Sequence, residues 1–144
     1  MTWGAINELS TLQGYRRLIE LADHPVLTQL LRGLMQEESA HIYFYFNMAR
    51  LKLERSGFSR HLARQVVDRF WQPVGHGIRP PAESAFVLRT LFEGEVGQEA
   101  MRRHVNDKIA QLPGFAGFTA VSQRMTLERP ERKVNPGRLE HRTV

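Results

Sequence analysis

From Leu27 onward, a seam at alternating steps of four and three runs Leu27, Leu31, Leu34, Glu38, His41, Tyr45 and Met48. This spacing keeps every member on one stripe of an α-helix, the stripe that packs against a core. The preceding segment repeats the pattern with Ala5, Glu8, Leu12, Tyr15, Ile19 and Ala22. Together they predict one helix over about residues 3–22 and a second over about 25–55, the latter about 45 Å long. Asp23-His24-Pro25 divides the two, because Pro25 lacks an amide donor and pushes His24 out of helical geometry. Asp23 or His24 closes the first helix and Pro25 opens the second, so the pair is expected to fold as an antiparallel hairpin.

Downstream, Ser56-Gly57 is expected to end the second helix, with Gly57 as a left-handed cap, and Ser59 to cap a third helix. The third helix is expected to run to about Gln72, carrying Leu62, Val66, Val67 and Phe70 towards a core. Pro73, Gly75, Gly77, Pro80 and Pro81 then predict a turn-rich connection. A shorter helix follows from Glu83 through Phe86, Leu88, Leu91 and Phe92 and breaks near Gly94. Another spans about Val96 to Leu112 until Pro113-Gly114, and residues 114–126 add a last short one. No segment shows the period-two alternation of a strand, and no internal repeat is present. The predicted class is all-α, a helical half-bundle with additional C-terminal helices. One domain is expected over residues 1–126 and a loose, basic tail over 127–144.

A chain of 144 residues that is 42% hydrophobic and 24% charged suits a single core-forming domain. No apolar run approaches the roughly 20 residues that span a bilayer, and no signal-peptide pattern follows Met1. The expected location is the cytoplasm. The absence of cysteine excludes disulfides, thiolate catalysis and thiolate metal sites, so a metal site here must use carboxylate, imidazole or water. The net charge of +5 is uneven: Arg50, Lys52, Arg55, Arg60, Arg64 and Arg69 face only Glu54 and Asp68 in that stretch. Such a surface suits an acidic partner or is simply a solvated helix face.

The chemistry concentrates at Glu38-Ser39-Ala40-His41. A carboxylate and an imidazole set in an apolar seam are costly to bury unless paired or bound to a metal. Three residues apart on one face, both reach a single ion beside the helix, and Glu-x-x-His is the half-site of carboxylate-bridged di-iron bundles. Folding the chain at about residue 24 puts Glu8 level with position 40, so Glu8, Glu38 and His41 are expected at one depth. The competing reading is a buried polar network that fixes helix register. Glu37 points about 100° away from Glu38 and reads as an outer or surface group. Tyr43, Phe44, Tyr45 and Phe46 read mainly as core packing, with Tyr45 placed to hydrogen-bond near a metal or line a channel. His24, His61, His76, His104 and His141 read as turn or surface residues. There is no phosphate loop, nucleophile elbow or His-Glu-x-x-His motif.

These residues also carry a family likeness. Glu8 with Thr11, Tyr15 and Arg17, then His24-Pro25-Val26-Leu27, Glu37-Glu38-Ser39-Ala40-His41 and Phe44-Tyr45, are similar to the second half of the soluble acyl-[acyl-carrier-protein] desaturases. Phe70-Trp71-Gln72-Pro73-Val74-Gly75 resembles that family's loop after the bundle. The likeness covers roughly residues 3–78. It implies a ferritin-like helical half-bundle and a di-iron oxidoreductase, with Glu8, Glu38 and His41 as iron ligands and Tyr15, Glu37 and Tyr45 around them. It also implies a ferredoxin-type electron donor and an acidic acyl carrier protein docked on Arg50, Lys52, Arg55, Arg60 and Arg64. Nucleic acid is not the expected partner. The family's site draws one Glu and one Glu-x-x-His from each half of its bundle, and this chain contains one such half. Three readings follow: the other half is missing from this chain, two copies pair through helices 1 and 2 as a homodimer, or no di-iron centre forms. An iron-storing or peroxide-consuming ferritin-like protein and a non-catalytic basic interaction module remain the alternatives.

Overall fold

The computed structural model describes residues 1–125, and the expected tail at 127–144 lies outside them. Every regular element among the described residues is helical. Two long helices come first, α1 (Thr2–Ala22) and α2 (Pro25–Glu54), with α3 (Gly57–Phe70) after them. Beyond a turn-rich connection lie α4 (Pro81–Phe92) and α5 (Glu95–Met101). Alpha-helical geometry loosens to a π-helical stretch over Arg102–Asn106 before the single turn α6 (Asp107–Ile109), and α7 (Ala120–Met125) closes the described chain.

The hairpin forms as the sequence predicts. Asp23 ends α1 in the left-handed region at φ 43°, where its amide still reaches the Ile19 carbonyl. His24 is extended and accepts the Leu27 amide on its ring nitrogen at 3.3 Å, while Pro25 opens α2 where no amide donor is needed. Two residues thus reverse the chain.

Helix α1 is the hub. It packs along α2 and also touches α3, α4, α5, α6 and the π-helical stretch. The apolar side chains beneath these contacts form one cluster, in which Ile6, Trp71, Met101, Val105, Ile109, Leu112, Phe115 and Val121 are fully buried. Trp71 fastens α3 to α1 by donating its indole N–H to the Asn7 side-chain oxygen at 3.0 Å. Buried Asn106, in the π-helical stretch, donates to Ser122 Oγ at 2.6 Å and ties that stretch to α7.

Several expectations change. Ser56, not Ser59, caps α3, accepting the Ser59 amide at 3.2 Å, and Gly57 is already helical rather than a left-handed cap. Of the four residues expected to face a core from α3, only Val67 is buried; Leu62, Val66 and Phe70 are exposed. Their place is taken by Trp71, one residue beyond the helix, which turns inward where Phe70 turns out. The single helix expected over 96–112 is instead three segments. The short helix expected over 114–126 begins at Ala120, after Gly114 and Gly117 take positive φ values in the turns before it. Tyr43 and Phe44 lie exposed rather than in the core, whereas Tyr45 and Phe46 pack against it.

Candidate metal centre

Glu8 projects from α1 and Glu38 and His41 from α2, and their ligand atoms all lie within 4.8 Å of one another. Donors bound to one ion at about 2.1 Å are themselves some 3–4 Å apart. The cluster therefore needs only a small inward closure to hold a divalent cation. Its two carboxylates and one imidazole suit iron, manganese or zinc, and three protein ligands leave coordination positions open. Among the described residues this is the one grouping of three or more such side chains with this reach.

The burial of the three is graded. Glu8 is half-buried, the Glu38 side chain retains 18% of its accessible surface, and the His41 side chain retains 58%. The expectation that Glu38 and His41 would be buried together is therefore not met: Glu38 is half-buried and His41 exposed. His41 sits on the flank of α2, its Nδ1 at 3.2 Å from a Glu38 carboxylate oxygen, the i,i+3 contact expected of neighbours on one face.

Electrostatics marks the same spot. Burial raises the Glu8 pKa from 4.5 to about 7, reinforced by hydrogen bonding and then by charge repulsion from Glu38, with His41 acting in the opposite direction. Two acids that share one site compete for ionisation, and one of them holds its proton near neutrality. Tyr15 lies close enough to feel both: its phenol is raised first by burial, then by the charges of Glu38 and Glu8.

The remaining sequence candidates divide. Glu37 is exposed and points away from the cluster. Tyr45 is half-buried against α1, where a Cβ at Gly4 would lie 2.8 Å from its ring. Glycine at position 4 is what allows that ring to close over the hairpin, and the sequence alone did not single it out. Arg50, Lys52 and Arg55 are exposed. Arg60 and Arg64 are engaged within the fold instead: Arg60 donates to the Leu53 carbonyl at 3.2 Å, near the end of α2. Arg64 pairs with Asp68 at 2.5 Å, donates to the Ala116 carbonyl and lies over the Phe115 and Phe118 rings.

A small apolar cavity of about 220 Å³ runs between α1 and α4, with Gly14, Tyr15 and Leu18 on one wall and Leu88, Leu91 and Phe92 on the other. Tyr15 thus borders the cavity and also senses the two acids. No helix among the described residues is long and apolar enough to cross a membrane. No protein-family model matches the chain, nor does any curated protein or solved structure.

Proposed function

We propose that this chain is a metal-binding helical protein of the di-iron oxidoreductase kind, with Glu8, Glu38 and His41 as the ligands it contributes. The observation that carries the reading is the convergence of two carboxylates and an imidazole from two helices, accompanied by an acid whose pKa is raised to about 7. Groups perturbed by burial and by a like charge at one point are the mark of a functional cluster. A cation placed there would relieve the repulsion between Glu8 and Glu38.

The finer reading, oxidation of an acyl chain on a carrier protein with a ferredoxin-type donor, rests on the family likeness. Iron held by these residues would supply the oxidising power, with dioxygen as oxidant. The chain itself contributes three things. Glu8 carries a proton near neutral pH, in reach of Glu38. Tyr15 stands between the acids and the apolar cavity, a wall suited to a hydrocarbon segment. Exposed Arg50, Lys52 and Arg55 supply positive charge for an acidic carrier, with Arg50 also 3.8 Å from the Glu54 carboxylate.

The test is metal uptake by the purified, metal-free protein. Anaerobic titration with Fe(II), checked with Mn(II), should give one ion per chain in the wild type. Glu38→Ala and His41→Ala should lower affinity at least tenfold while keeping the helical circular dichroism. A wild-type protein that retains no metal, or variants that bind as well as it does, would leave the Glu8–Glu38–His41 cluster as a polar network that sets helix register.

A further inference from the structure

Helix α2 carries a second heptad seam that the described residues leave largely uncovered. Leu30, Leu34, Glu37, His41, Phe44, Met48 and Leu51 follow steps of four and three, beside the stripe that meets α1. Leu30 is 60% exposed, Phe44 53% and Leu51 47%; Leu34 and Met48 are half-buried. An apolar repeat every 3.5 residues over three turns or more is the pattern by which one helix packs on another.

The order of side chains along this seam narrows the occupant. Leu30 and Leu51 lie at its ends, Leu34 and Met48 come next, then Glu37 and Phe44, and each pair is centred within half a residue of His41. A two-fold contact requires that residue i meet j while j meets i. A seam that places leucine at both ends and long apolar side chains next on both sides meets that requirement for an antiparallel copy of itself. Its centre also falls at the depth of the candidate ligands. A two-fold there sets the two Glu8–Glu38–His41 clusters within about 3–5 Å of one height along the helix axis.

Resting on the metal reading above, we propose that a second copy of this chain docks antiparallel along α2 and completes a dinuclear metal centre. The pair pools four carboxylates and two imidazoles, where one chain has half that number and no second Glu-x-x-His. It also accounts for the exposure of His41, which lies on the docking seam rather than inside the monomer.

The experiment uses the full chain with Mn(II) as probe. Light scattering after size exclusion should report a dimer, and electron paramagnetic resonance of the loaded protein should show an exchange-coupled Mn(II) pair. The double variant Leu30→Glu/Leu51→Glu changes two exposed positions at least eight residues from any α2 ligand. It should keep its helical circular dichroism, weaken self-association at least tenfold and replace the coupled signal with that of isolated Mn(II). Leu51→Glu alone gives the same readout in weaker form should the double variant misfold. A wild-type monomer that binds isolated Mn(II) would overturn the two-copy centre and leave the metal reading intact. A dimer that binds no Mn(II) would overturn the metal reading and the shared centre with it. A dimer untouched by either variant would overturn the seam.

Discussion

Replacing Glu8 with glutamine removes its charge and keeps its shape, so the pH dependence of the change isolates the cost of ionising that residue in the fold. Its pKa is raised from 4.5 to about 7, first by burial and then by Glu38. A folded-state pKa above the unfolded value means that the contribution to stability is fully present below about pH 4.5 and is lost as pH rises through about 7. At full strength the shift corresponds to roughly 3 kcal/mol. Glu8 is only half-buried, and solvent screening at such a site lowers the expected figure to about 1–2 kcal/mol. Metal-free Glu8→Gln should therefore match the wild type near pH 5 and exceed it by about 1–2 kcal/mol at pH 8.5. Urea denaturation with chelator present, followed by circular dichroism across that range, measures the difference. A gap that stays constant with pH, or that widens towards acid, would refute the assignment of the raised pKa to Glu8.

Metal affinity should follow the same titration: binding displaces the Glu8 proton, so Mn(II) affinity is expected to rise between pH 6 and 8 and level off above, as isothermal titration would show. In metal-free protein, Glu38→Leu should be neutral or stabilising, since it relieves the repulsion with Glu8; a loss above about 2 kcal/mol in chemical denaturation would favour the register-fixing network instead. Gly97→Ala should cost about 2–3 kcal/mol in thermal unfolding, because the added Cβ would lie 2.5 Å from the Phe92 Cα and 2.6 Å from its carbonyl carbon and oxygen, where backbone yields little.

The hairpin and its cluster were legible in the sequence because each signal there is local or strictly periodic. Pro25 and the three-four seams suffice to place Glu8 across from Glu38 and His41. The α3 core failed for a physical reason: Leu62, Val66 and Phe70 do lie near one stripe, but periodicity reports that a face is apolar without saying what covers it. Trp71 fills the core from outside the helix, and its hydrogen bond to Asn7 spans a sequence separation that no helical pattern encodes. The π-helical stretch at Arg102–Asn106, tied to α7 by the Asn106–Ser122 hydrogen bond, was equally invisible, since no residue pattern in the segment marks a widened turn. Arg60 and Arg64 read as surface charge from composition, yet their guanidinium groups are spent on the Leu53 and Ala116 carbonyls. The uncovered seam of α2 could have been read by the same heptad count as its neighbour. It shares Leu34, His41 and Met48 with that neighbour and is hidden by the overlap.

The graded exposure of the cluster has an energetic consequence. A hairpin that buried Glu8, Glu38 and His41 completely would carry the desolvation cost of all three groups whenever the metal is absent. With the His41 side chain 58% exposed, that cost is deferred until something covers the seam. Covering it and binding the cation are then coupled, because each supplies what the other lacks: the cation offsets the charge, and the second helix excludes water and adds donors. Coupling of this kind is reciprocal, and with two ions per dimer the factor by which metal tightens the dimer must equal the product of the factors by which dimerisation tightens each ion. Mn(II) titrations at protein concentrations well below and well above the dimer dissociation constant should differ in affinity by at least tenfold, about 1.4 kcal/mol. Sizing runs with and without Mn(II) should give the square of that factor, about a hundredfold. Equal metal affinity at both concentrations would mean that each Glu8–Glu38–His41 cluster acts alone, and the exposure of His41 would then have no bearing on how the metal is held.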